Sequence, residues 1–162
     1  MTGNNTDTHE KFMRDAIALS RSNMQANTGG PFGAVIVKDG KVVGRGANKV
    51  TTANDPTAHA EVVAIRDACK NLDDFSLKGC TIYSSCEPCP MCLSAIYWAR
   101  LDHLYFANTQ QDAADIDFDD SFLYEQVALP MKTRTLPCQH ILRDEALSVF
   151  QEWASKLDKT PY

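Results

Sequence analysis

Nowhere in the 162 residues does an apolar run approach the roughly 18 that a membrane-crossing helix needs. The first ten residues, Met1 to Glu10, are polar and hold no apolar signal core, so neither export nor membrane insertion is expected and a cytoplasmic location is. Positive charge is scarce too: 16 Lys and Arg face 21 Asp and Glu, a formal net of −5. Up to Asn108 the two signs balance at 11 each, whereas from Thr109 onward 5 cations stand against 10 anions. A protein that grips nucleic acid shows a basic stripe to neutralise phosphates, and neither part offers one, which disfavours a nucleic acid partner. Repeats, low-complexity tracts and Pro/Gly/Ser linkers are also missing. With 44% hydrophobic and 23% charged residues, the chain reads as one globular domain over residues 1–162. Gly29 to Gly33 has no Lys-Ser/Thr after it, so it reads as a turn and not as a phosphate loop.

Cysteine, by contrast, is concentrated. Six stand at 69, 80, 86, 89, 92 and 138, three of them within seven residues. Without an export signal, such spacing points to metal or redox chemistry before a disulfide framework. Around that cluster the patterns alternate. Thr8 to about Met24 is an amphipathic helix with Phe12, Ala16, Ile17, Ala18 and Leu19 on one side and Lys11, Arg14, Asp15 and Arg21 on the other. Phe32–Lys38 and Lys41–Val50 are two strands joined by Asp39-Gly40, a tight-turn pair. A helix opened by Pro56 and Thr57 runs to about Leu72; then come a strand at Cys80–Ser84, a helix at Cys89–Arg100 and a strand at His103–Ala107. Strand followed by helix, twice over, implies parallel pairing with helices on the sheet. After an acidic loop, a helix is expected at Ser121–Ala128, a strand at Leu136–Leu142 and a last helix from Asp144 to about Lys156. The predicted fold is a three-layer α/β/α sandwich on a mixed sheet of about five strands.

The chemistry gathers at two helix starts. Thr57-Ala58-His59-Ala60-Glu61 opens one and Glu87-Pro88-Cys89-Pro90-Met91-Cys92 the next. Thiolates three residues apart at a helix tip can share one metal, and the helix N-terminus helps keep them ionised. With the imidazole of His59 the protein ligands number three, which leaves a tetrahedral position for water. Glu61 lies two residues past His59, about 200° around a regular helix, so the two serve one pocket only at a helix tip. There a carboxylate can take a proton from the attacking water and pass it to a substrate. Three other readings stay open: a structural zinc with Cys86 as fourth ligand, a redox pair, and a zinc-stabilised interaction domain in which Glu61 is idle. Cys69, Cys80 and Cys138 read as small buried hydrophobes.

His-x-Glu together with Pro-Cys-x-x-Cys is the signature of zinc-dependent base deaminases. From about Phe12 to its end the chain resembles the cytidine deaminase superfamily, and within it is similar to the small bacterial guanine deaminases. The segments that carry the resemblance are Gly30-Pro31-Phe32-Gly33-Ala34, Asn48 in Ala47-Asn48-Lys49-Val50, Asn54 to Glu61, Ala95 to Arg100, and Phe118-Asp119-Asp120-Ser121-Phe122, with the aromatic C-terminal Tyr162. The resemblance implies one Zn²⁺ per chain on His59, Cys89 and Cys92, leaving Cys86 out, and a proton relay by Glu61. It implies hydrolytic deamination of a purine base, guanine to xanthine and ammonia. Substrate contacts are then expected from Asn48 and Asp120 to the polar edges, from Ala60, from Phe32 and Trp98 as walls, and from Tyr162 on a lid formed within residues 144–162. Relatives are commonly dimers or tetramers, and Ile96-Tyr97-Trp98 crowds apolar surface onto one helix, so a homodimer is expected. A tRNA adenosine deaminase or a guanosine or cytidine deaminase is the alternative within the fold.

Overall fold

The computed structural model describes residues 4–162. They form two compact units, the first ending at Tyr124 and the second running from Glu125 to Tyr162. In the first, helix α1 (Asn4–Gln25) leads to the hairpin of β1 (Gly33–Lys38) and β2 (Lys41–Ala47). Asp39 and Gly40 at its tip have φ of 50° and 73°, the positive pair that an Asp-Gly turn supplies. There follow α2 (Val50–Ala53), α3 (Ala60–Leu72), β3 (Cys80–Cys86), α4 (Pro90–Trp98), β4 (His103–Asn108), α5 (Gln110–Ala114) and the start of α6 (Ser121–Ala128).

The sheet is mixed, in the order β2-β1-β3-β4, with β1 antiparallel to both neighbours and β3 parallel to β4. It has four strands, not the expected five. Residues 136–142 form no ladder: Pro137 has no N–H to donate and Leu142 turns left-handed at φ 52°. Strand β2 also stops at Ala47, short of the expected Val50, because the Asn48 carbonyl oxygen Oδ1 takes the Val50 N–H at 3.2 Å and starts a helical turn.

The expected three layers are present. Alternation along β1 and β3 sends Val35, Val37 and Tyr83 to one face, where Phe12 and Ala16 of α1 cover them. Ala34, Ile36 and Ile82 point the other way, against Ala60, Ala64 and Ala68 of α3 and Ile96 of α4. The second contact is unusually close: a Cβ on Gly46 would stand 2.0 Å from the Ala60 carbonyl oxygen, and one on Gly44 2.5 Å from that of Ala64. Glycine is required at both because α3 lies directly on the β2 backbone.

In the second unit, α6 is followed by a 3₁₀ turn at Met131–Thr133 and by α7 (Arg143–Ser155). Gln126 Oε1 accepts from the Thr135 N–H at 2.8 Å and from its hydroxyl at 3.1 Å, which ties the turn to α6. Of the three cysteines read as buried, Cys80 is buried, Cys69 half-buried and Cys138 exposed, the last because its unit encloses no core. Among the described residues, no helix is long and apolar enough to cross a membrane.

Candidate active site

Helix α4 follows β3, and α3 follows β2 after the single turn of α2, so their N-termini lie at the end of the sheet where β2 and β3 finish and β1 begins. The residue just before each helix is extended: His59 at φ −70°, ψ 157°, and Cys89 at φ −64°, ψ 167° with Pro90 behind it. Neither side chain caps its own helix. Instead they face each other. His59 Nδ1 is 3.6 Å from Cys89 Sγ and 3.5 Å from Cys92 Sγ, and all three ligand atoms lie within 4.8 Å of one another. Ordinary Zn–S and Zn–N bond lengths at tetrahedral angles require an S···N edge of about 3.6 Å, so this donor set fits one zinc ion. No other group of three His, Cys, Asp or Glu side chains gathers in this way among the described residues. Cys86, the proposed fourth ligand, stands apart with its thiol 3.7 Å from the Thr109 carbonyl oxygen, and burial pushes that thiol up to about 11.

The electrostatics suit a cation. The hydrogen bond with the Cys92 thiol, and then that with His59, holds the Cys89 thiol down to about 4, while the same Cys89–Cys92 bond and burial push Cys92 up. His59 is raised chiefly by its hydrogen bond with Cys89. Glu61, in the first turn of α3, is 6% exposed; the tip is therefore buried, not open to solvent. Burial raises its carboxyl above the ordinary glutamate range. Ser84 of β3 donates its hydroxyl to Glu61 Oε1 at 3.2 Å and orients it.

His59, Glu61 and Cys89 line a cavity of about 430 Å³. Phe32 lines it, set edge-on to Phe118 with ring centroids 4.9 Å apart. Asn48 and Asp120 line it as well. The structure thus brings Phe32, Asn48, His59, Glu61, Cys89 and Asp120 to one place, with Ala60 fully buried in the first turn of α3. Trp98 is not on this wall. It ends α4, six residues beyond Cys92 and so about 9 Å further along the axis. There it is 65% exposed, under the Arg100 guanidinium. Tyr162 belongs to the second unit and is 79% exposed.

Sequence reasoning missed the supports. Ser84, Glu87, Gln110 and Tyr124 act through pairings across 10 to 36 residues, for which no local pattern exists. The cavity wall is acidic, with Glu87, Asp117, Asp119 and Asp120 beside Glu61 and no Lys or Arg among the described residues that line it.

Residues 6–108 match the family described as the cytidine and deoxycytidylate deaminase zinc-binding region. The chain belongs to this family. As a member it carries a zinc-binding deaminase domain, and His59, Cys89 and Cys92 are the group able to hold the ion. It is 51% identical over 154 residues to the guanine deaminase of Bacillus subtilis (strain 168), covering 95% of this chain and 99% of that protein. The crystal structure of guanine deaminase from Bacillus subtilis superposes with a TM-score of 0.93, at 51% identity over 95% of this chain and 98% of that one. A tRNA-specific adenosine deaminase of Aquifex aeolicus is 43% identical over 77 residues, 48% of this chain and 51% of that protein. The first similarity therefore runs beyond the two motifs, through the loop of Asp120 and into the second unit. The match to the tRNA enzyme covers about half of the deaminase.

Proposed function

We propose that the protein hydrolyses guanine to xanthine and ammonia, with zinc held by His59, Cys89 and Cys92. The observation that carries this reading is the opposed polarity of two side chains in the cavity that holds Glu61. Asn48 Oδ1 is engaged by the N–H groups of Val50 at 3.2 Å and Gly30 at 3.4 Å, so its amide nitrogen is the group it can offer a ligand, as a donor. Asp120 Oδ1 accepts from Gln110 at 2.8 Å, which leaves Oδ2 as an acceptor. Guanine is the matching shape: O6 and N7 accept, N1–H and the 2-amino group donate. Phe32 supplies a flat wall, and the Ala60 N–H, uncapped at the start of α3, a further donor. The similarity to the Bacillus guanine deaminase supports the same substrate.

When bound, the metal supplies a Lewis acid that acidifies water. Glu61 takes a proton from the water that attacks C2 and delivers it to N3; it then carries the second proton, from the hydroxyl now on C2, to the departing amine, so that C2=O forms, the C2–N bond breaks and ammonia leaves. A carboxyl raised by burial takes up a proton more readily than an ordinary glutamate. The acidic wall disfavours a substrate backed by phosphates, which speaks against tRNA. Ammonia release measured with guanine, guanosine, cytosine and adenine tests the reading; turnover of another compound in preference to guanine would refute it.

The two units are read as one deaminase domain in a cytoplasmic protein. In support, the Bacillus relative spans both units, and all six cysteines are unpaired, as suits a reducing compartment. Within residues 144–162, we propose Tyr162 as a lid residue. A homodimer is expected because Tyr97 and Trp98 are 72% and 65% exposed on α4. Sedimentation as a monomer at micromolar concentration would rule the dimer out.

A further inference from the structure

The geometry points to Gln110 as a positioning residue that clamps Asp120 in the orientation that meets the purine, within a hydrogen-bonded circuit anchored on the metal-ligand loop. This rests on the guanine reading above. Gln110 Nε2 donates to Asp120 Oδ1 at 2.8 Å, and the Gln110 backbone N–H donates to Glu87 Oε2 at 3.0 Å. The Glu87 N–H in turn donates to the Asn108 carbonyl at 2.8 Å, which fixes it at the end of β4. On the far side, the Asp120 carbonyl accepts from the N–H groups of Leu123 and Tyr124 at 2.9 and 3.2 Å. The Tyr124 hydroxyl closes the path by donating to the Pro88 carbonyl at 2.9 Å, one residue before Cys89. The path leaves the metal-ligand loop at Glu87 and returns to it at Pro88.

Asp120 sits between two short helices, and its carboxylate has two side-chain torsions to lose. Without the Gln110 bond several rotamers are open to it. Apparent affinity scales with the fraction of molecules in the competent rotamer, so the clamp acts on substrate binding and not on the proton relay of Glu61. Because both ends of the circuit are fixed to the loop that carries Cys89, the acceptor also keeps a constant position relative to the metal ligands. Gln110 itself is aimed by backbone bonds, and Thr109 beside it is held in a capping box with Asp112.

The test uses the zinc-loaded protein. Removing the clamp in Gln110→Leu is expected to raise KM for guanine about ten-fold with kcat within about two-fold, at unchanged zinc content and melting temperature. Guanine affinity is then measured in a Glu61→Gln background for Gln110→Leu, for Asp120→Ala and for the pair. If Gln110 acts through Asp120, the pair binds no more than about two-fold weaker than Asp120→Ala alone; additive losses would show a merely structural role and overturn the assignment. Tyr124→Phe, which removes one hydroxyl, is a second probe should Gln110→Leu fold poorly. It is expected to raise KM about three-fold with the same coupling to Asp120, and an unchanged KM in both variants overturns the circuit. Unmodified enzyme that releases no ammonia from guanine overturns the substrate reading and this inference together, whereas normal turnover with uncoupled variants overturns this inference alone.

Discussion

The two faces of the sheet meet their helices at different distances. Toward α1 it shows Val35, Val37 and Tyr83, with Phe12 fitted against the Tyr83 ring at 5.4 Å and His9 Nδ1 at 2.7 Å from its hydroxyl. Toward α3 and α4 it shows Ala34, Ile36 and the glycines of β2 against Ala60, Ala64 and Ala68. The first face holds by burying large side chains. The second adds close backbone approach to the burial of Ile36, Leu77 and Ile82, and that approach places His59 and Glu61 at the cavity. The chemistry thus lies on one face of the sheet alone.

The largest test of this division is Cys89→Ala. Losing one of three ligands is expected to leave less than about a tenth of the zinc and no measurable turnover, by elemental analysis and ammonia release. A protein that keeps its metal would move the centre elsewhere. Glu61→Gln comes next, since an amide cannot carry the proton: turnover is expected to fall about a thousand-fold with zinc content and melting temperature unchanged. On the opposite face, Phe12→Ala should cost about 3 kcal/mol of stability in denaturant unfolding and change kcat less than about two-fold. A matching loss of kcat would show that the two faces are coupled, and the division would fail. The smallest effect is expected from deleting Pro161 and Tyr162: activity on guanine falls about three-fold through loss of an aromatic cover, at constant melting temperature. Full activity in that variant would remove Tyr162 from the site.

Much of this was legible before folding. His59, Glu61, Cys89 and Cys92 announce themselves because ligand chemistry demands particular residue types at particular spacings, and both motifs sit where helices begin. The hairpin followed from Asp39-Gly40, and α1, α3 and α4 from their apolar periods. The fifth strand at 136–142 was misread because an apolar run with a proline looks extended whether or not a ladder awaits it. Where Trp98 stands could not be read locally, because its position depends on how far a helix carries it from the ligands, not on its neighbours in sequence.

By itself the sequence determined the candidate metal-ligand set, the proposed proton carrier, the layer architecture and the scarcity of positive charge. Those depend on residue type and on periods of a few residues, which are local. Only the tertiary structure decided that the side-chain oxygen of Asn48 and one of the two of Asp120 are already engaged, that Cys86 stands outside the ligand group, and that Gln110 and Tyr124 join the Asp120 loop to the loop of Cys89. Such facts arise from pairings between distant segments, made when β1 settles between β2 and β3 and brings the helix starts to one end of the sheet.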